Sequence, residues 1–219
     1  ASPAGNPPTC AVLRNTTLKC WGSGLKGRLG QGNTTTRGDG AGEMGDSLAV
    51  TSLGTGLSPD FATLGSNFSC ARVTGNVAKC WGRNSMGQLL KGSTATLGDG
   101  AGEMGDSLTV MNFGTGRTVI ELQVGSTFGC ARLDDDTIKC FGSAASGALG
   151  NASTTANLGD VVGELGNSLP VVSLNGGTVS NIAVGTAHAC ALFTDHTMKC
   201  WGLNTSGQLG LGDALSRGD

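Results

Sequence analysis

The chain has 219 residues, of which 39 are Gly and none Tyr; that glycine share is over twice the usual ~7%, but it lacks a Gly-x-y period, which excludes collagen. Hydrophobic residues make up 38% and charged residues 14%, a balance unlike that of charge-rich disordered chains. The net charge of −2 with no Lys/Arg block argues against nucleic acid as a main partner, and no apolar run approaches the roughly 18–20 residues of a membrane-spanning helix.

Taken along the chain, the eight cysteines fall at positions 10, 20, 70, 80, 130, 140, 190 and 200. Pairs with one internal spacing recurring at one longer period mark a repeat architecture. Other residues keep the same phase. Lys precedes each second Cys (Lys19, Lys79, Lys139, Lys199), and Trp21, Trp81, Phe141 or Trp201 follows it, each with a Gly after it. Gly38 to Leu48 reads GDGAGEMGDSL and Gly98 to Leu108 is identical; the third copy, GDVVGELGNSL, runs from Gly159 to Leu169. It comes one residue late, and a compensating deletion restores the phase before Gly185, as surface loops permit.

Within a unit the pattern is β. Arg117 to Val124 alternates and is β-branched, then Phe128 to Leu133 and Thr137 to Phe141 flank the turn Asp134-Asp135-Asp136. Matching turns are Thr74-Gly75-Asn76 and Thr194-Asp195-His196, which are hairpin signals. A fourth strand is expected at Leu48 to Leu53, Leu108 to Phe113 and Leu169 to Leu174, and no segment keeps a helical period. The approximate units are 1–56, 57–116, 117–177 and a shortened 178–219. Cys70 and Cys80 are equidistant from the turn at Gly75, so they face each other across a hairpin, close enough to bridge at a non-hydrogen-bonded pair. The expected disulfides are Cys10–Cys20, Cys70–Cys80, Cys130–Cys140 and Cys190–Cys200. Eight reduced buried thiols are the alternative, and metal binding lacks a Cys-x-x-Cys or clustered His.

The run Cys200-Trp201-Gly202-x-Asn204-x-x-Gly207-Gln208-Leu209-Gly210-x-Gly212 resembles a regulator-of-chromosome-condensation repeat. Cys80-Trp81-Gly82-x-Asn84-x-x-Gly87-Gln88-Leu89 resembles it too, as does Val184-Gly185-x-x-His188-x-Cys190-Ala191-Leu192. The first and third units carry degenerate versions. The resemblance covers essentially the whole chain after Pro8 and implies an all-β propeller of four-stranded blades, usually seven. Here it implies an incomplete arc with two nearly whole and two partial blades. A seven-blade ring of this period would need roughly 420 residues. The chain therefore reads either as part of a longer one or as a subunit whose open blade edges pair with a protein partner or with copies of itself.

Several features are candidate sites. Asp39, Glu43 and Asp46, repeated as Asp99, Glu103 and Asp106, are hard oxygen donors in Gly-rich loops and the candidate ligands for calcium; no other cofactor is expected. Turn-capping carboxylates are the plainer reading. Five sequons, at Asn15, Asn33, Asn67, Asn151 and Asn204, are candidate N-glycan acceptors in a secreted chain. Asn33 and Asn151 in long loops are favoured, and Asn204 reads as a turn residue. Arg37-Gly38-Asp39 and Arg217-Gly218-Asp219 spell an adhesion tripeptide, but the shared repeat feature is Gly-Asp alone. The aromatics read as inter-blade packing, the four lysines as solvated or paired cations on a strand face, and His188 as a packing residue in the phase of Phe68 and Phe128. No motif assembles Ser, His and Asp for catalysis. The expected function is a non-catalytic extracellular or cell-surface structural and protein-interaction module. The alternatives are a nucleotide-exchange propeller for a small GTPase, or an enzyme-inhibiting or glycan-binding propeller.

Overall fold

In a computed structural model that describes residues 7–218, the chain forms four antiparallel sheets in sequence. The first sheet pairs β1 (Thr9–Val12) with β2 (Leu18–Trp21). The second is β3 (Pro59–Leu64), β4 (Phe68–Val73) and β5 (Val77–Gly82). The third is β6 (Val119–Val124), β7 (Phe128–Leu133) and β8 (Ile138–Gly142). The fourth is β9 (Val179–Val184), β10 (His188–Phe193) and β11 (Met198–Gly202). Consecutive strands pair within each sheet, as short strands joined by tight turns must.

The expected fourth strand does not form. The segments at 48–53, 108–113 and 169–174 hold the outer edge through single bonds: Thr51 N–H to Leu18 O, Met111 N–H to Ala78 O and Val172 N–H to Ile138 O, each 2.8 Å. Isolated bridges join Lys19 to Val50 and Lys139 to Val171. The first two segments bury both ends (Leu48 and Leu53, Leu108 and Phe113) and the third buries Leu169 with Leu174 half-buried, while Val50, Val110 and Val171 stand exposed. Burial of those ends anchors the segment without a continuous ladder.

The apolar core lies between blades rather than within them. Trp81, Leu18, Leu29, Ala71 and Val73 pack in one cluster across the first two blades. Phe113 and Phe141 meet edge-on with centroids 5.9 Å apart, a favoured aromatic geometry. The inner strands converge, and there the backbones leave no room for side chains: a Cβ on Gly65 would lie 2.4 Å from Gly125 O, and one on Gly125 2.4 Å from Gly185 O. Side chains from neighbouring blades cap the inner edges. Arg72 donates to Val119 O and Ile120 O while pairing with Asp60 at 2.8 Å, and Glu121 accepts the Ile182 N–H at 2.9 Å. Unpaired strand edges are thereby shielded.

Candidate interaction faces

All four hairpins place their cysteines directly opposite each other. Each pair is bridged, with Cα atoms 4.0–4.1 Å apart. Such a separation suits a non-hydrogen-bonded antiparallel pair. No described cysteine is free, so sulfur here joins strands and offers no nucleophile or soft metal ligand.

Two of the four lysines, Lys79 and Lys139, are buried rather than solvated, whereas Lys199 is exposed and donates to Leu174 O and Asn175 O, and Lys19 is half-buried. Lys79 is 4% exposed and donates to Leu53 O at 2.7 Å and Gly105 O at 3.0 Å. Lys139 repeats this on Phe113 O at 2.8 Å and Gly166 O at 2.9 Å. Each ammonium joins the preceding blade's outer segment to its own blade's acidic loop. Burial lowers the pKa of both lysines; for Lys79 the nearby Asp106 partly opposes this. Among the described residues Lys19 in the first blade reaches only Gly45 O. The same joint is closed by Asp106, which accepts the Thr55 N–H at 2.7 Å and the Thr55 hydroxyl at 2.8 Å. In the next joint Asn167 takes this place against Thr115. A Lys at one phase inside an otherwise apolar strand was the available sequence signal for this strut.

The calcium reading is not supported by the geometry. Glu43 Oε2 accepts the N–H groups of Gly38 and Gly40 at 2.8 and 3.0 Å, and Glu103 Oε2 those of Gly98 and Gly100 at 2.8 Å each. Asp106 is engaged with Thr55, and among the described residues no three or more His, Cys, Asp or Glu gather where a metal could be held. Asp39 lies beside Glu43, and no third such side chain joins them among the described residues. The carboxylates organise their own loops: the amides of Gly40 and Gly38 hold Glu43 below the ordinary carboxylate pKa.

Of the five sequon asparagines only Asn15 is exposed. Asn33 is partly buried and donates to Gln31 O. Asn67 is partly buried before β4, and the Asn151 side-chain oxygen is buried. Asn204 is 0% exposed and bonds Asp213 O, Leu215 O and the Leu209 N–H, as Asn84 bonds Ser93 O and the Leu89 N–H. Arg37 pairs with Glu43 and bridges Gly22, so it serves its own loop; Asp219, the last residue of the second tripeptide, lies outside the described residues. His188 packs on Gly185 as Phe68 packs on Gly65.

Chemistry is thus directed at joints between blades. At the internal joints Trp81 donates its indole N–H to Arg28 O (3.1 Å) and Trp201 to Ala148 O (3.0 Å). Trp21 occupies the same phase on the first blade, half-buried, with no acceptor among the described residues. In the fourth blade Met198 is 63% exposed, whereas Leu18, Ala78 and Ile138 at its phase are at most 2% exposed under their outer segments.

Comparison with known proteins agrees with this architecture. The regulator of chromosome condensation (RCC1) repeat model matches residues 62–88 and 179–208. The ultraviolet-B receptor UVR8 of Arabidopsis thaliana is 28% identical over 150 residues, 68% of this chain and 30% of the receptor. Human WBSCR16 superposes with a TM-score of 0.73 at 19% identity, over 98% of this chain and 50% of that one. Yeast RCC1 (Prp20), solved with Kap60, gives 0.70 at 18% identity, over 99% and 46%. The chain therefore spans less than a third of the curated relative and about half of the solved propellers.

Proposed function

We propose that this chain, an arc of RCC1-type propeller blades, is a non-catalytic extracellular or cell-surface module that binds protein through its open blade faces and serves a structural role in a matrix, wall or filament. The observation that carries this reading is the bridging of every cysteine pair, one per blade, because such bonds persist in oxidising compartments and are rare in the cytosol. The sequon at exposed Asn15 is the candidate glycan site that best fits the same compartment. Nucleotide exchange on a small GTPase is the less favoured reading, since the likeness to yeast RCC1 at 18% identity extends to fold alone. The test is surface labelling of intact source cells with a membrane-impermeant amine reagent, followed by fractionation. Labelled protein in the wall or medium is expected; unlabelled protein confined to the cytosol would overturn the reading.

A further inference from the structure

We propose that Lys91, in the joint between the second and third blades, is a covalent binding site for carbon dioxide, which its amine takes up as a carbamate. The proposal rests on the geometry of that joint and not on the compartment in which the protein works.

Lys91 follows β5 and is half-buried. Its amine donates to Thr109 O in the outer segment of the same blade, and among the described residues it forms no ion pair. The next residue is locked against the third blade: Gly92 N–H donates to Gly159 O at 2.9 Å, and a Cβ on Gly92 would lie 2.8 Å from Val162 Cα. The carboxylates of the surrounding loops are directed elsewhere. Asp106 holds Thr55, Glu103 holds the amides of Gly98 and Gly100, and Glu164 holds those of Gly159 and Val161. Asp160, on the loop of the third blade, makes no ion pair among the described residues. The charge that acts on Lys91 is another cation, Lys79. Desolvation and a like charge both favour the neutral, nucleophilic form of an amine, and they bring the pKa of Lys91 to about 7.

The neighbouring blades show what this position accommodates. At the phase of Lys91 stand Gln31 and Asn151, both half-buried and both ending in a planar, uncharged N–C–O group. Gln31 Nε2 approaches Ala49 O, the counterpart of Thr109 O, at 3.5 Å, and its Oε1 accepts from Arg37 Nε at 3.2 Å. In the second blade Leu97 takes the phase of Arg37, and the cation at hand is Lys79. A carbamate gives Lys91 the same planar N–C–O group. Its remaining N–H can stay on Thr109 O, and its oxygens bring a negative charge that turns the repulsion from Lys79 into attraction. In the step itself the amine lone pair attacks the carbon of carbon dioxide and the N–C bond forms. One C–O π pair moves onto oxygen and one proton leaves nitrogen for solvent, so that R–NH2 and CO2 give R–NH–CO2− and H+ with no change of oxidation state. Carbon dioxide is small and uncharged, which suits a half-buried niche beside a cation.

The test is equilibration of the 219-residue chain, disulfides intact, with isotopically labelled bicarbonate at about pH 7.5, followed by ethylation of any carbamate with an oxonium salt, digestion and mass mapping. At that pH a pKa of about 7 leaves about three-quarters of the amine neutral, against about 0.1% at an ordinary lysine pKa of ~10.4. Ethyl carbamate on Lys91 is therefore expected at no less than about tenfold its level on Lys26, which stands exposed in the first blade; mapping by peptide keeps Lys91 apart from the α-amino group, which also reacts. Lys79→Met removes both the repulsion that favours the neutral amine and the counter-charge of the carbamate, so it should lower labelling of Lys91 severalfold and leave that of Lys26 unchanged. Labelling of Lys91 no greater than that of Lys26, or equal labelling of Lys91 in the parent and in Lys79→Met, overturns the proposal.

Discussion

Replacing Lys79 by Met keeps most of the side chain's volume and removes only the ammonium that joins two blades. Two carbonyls, Leu53 O and Gly105 O, then lose their donor in a place where Lys79 was 4% exposed. Hydrogen bonds from charged donors contribute about 1.5–3 kcal/mol each, and stranded buried acceptors cost about 1–3 kcal/mol. Burying the ammonium already opposes folding, as its lowered pKa shows, which places the pair at the low end, about 3 kcal/mol in total. With a urea m-value of about 3 kcal/mol/M, the unfolding midpoint should fall by about 1 M. Lys19→Met is the internal control: it has one carbonyl partner and no preceding outer segment among the described residues, and should shift the midpoint by less than half as much. Urea titrations followed by tryptophan fluorescence read both. Equal shifts for the two variants, or no shift for Lys79→Met, would refute the claim that these lysines are inter-blade struts.

Other consequences follow from named contacts. Burial brings the pKa of Lys91 down to about 7, so between that value and its unfolded value of about 10.4 the unfolded chain holds more protons. Stability should therefore rise with pH through this window, be penalised fully below it, and lose part of that slope in Lys91→Met, as urea midpoints at pH 6.5 and 9 would show. Asp106→Asn should melt close to the parent, because Asn167 holds the equivalent Thr115, whereas Asp106→Ala should lower the melting temperature; identical melting of both variants would remove the latch. Ile138→Ala, under its outer segment at 2% exposure, should cost about 2–5 kcal/mol, while Met198→Ala, at the same phase but 63% exposed, should change unfolding by less than about 0.5 kcal/mol.

The hairpins and their bridges were legible in the sequence because both depend on local geometry. A turn centred on Gly75 sets Cys70 opposite Cys80 whatever the rest of the chain does. The expectation for His188 succeeded for the same reason, since its phase fixes its place over Gly185. The outer segments were misjudged because Leu-x-Val patterning shows which side chains are buried, not whether the backbone has a partner edge for more than one bond. The burial of Lys79 and Lys139 was not legible because their acceptors come from two distant segments, 26 residues before and after Lys79. Sequence reveals the carboxylates of the acidic loops but not the glycine amides that donate to Glu43 and Glu103. Asn33 and Asn151 in the long loops are half-buried, while Asn15 in the short hairpin turn is the more exposed acceptor, a difference that loop length alone does not show.

The measurement that bears most directly on the account is disulfide mapping of the protein taken from its source: alkylation of free thiols under denaturing, non-reducing conditions, then digestion and mass analysis. The account predicts no alkylated cysteine and four bridged peptides, Cys10–Cys20, Cys70–Cys80, Cys130–Cys140 and Cys190–Cys200. Eight alkylated cysteines, or bridges joining different blades, would contradict it.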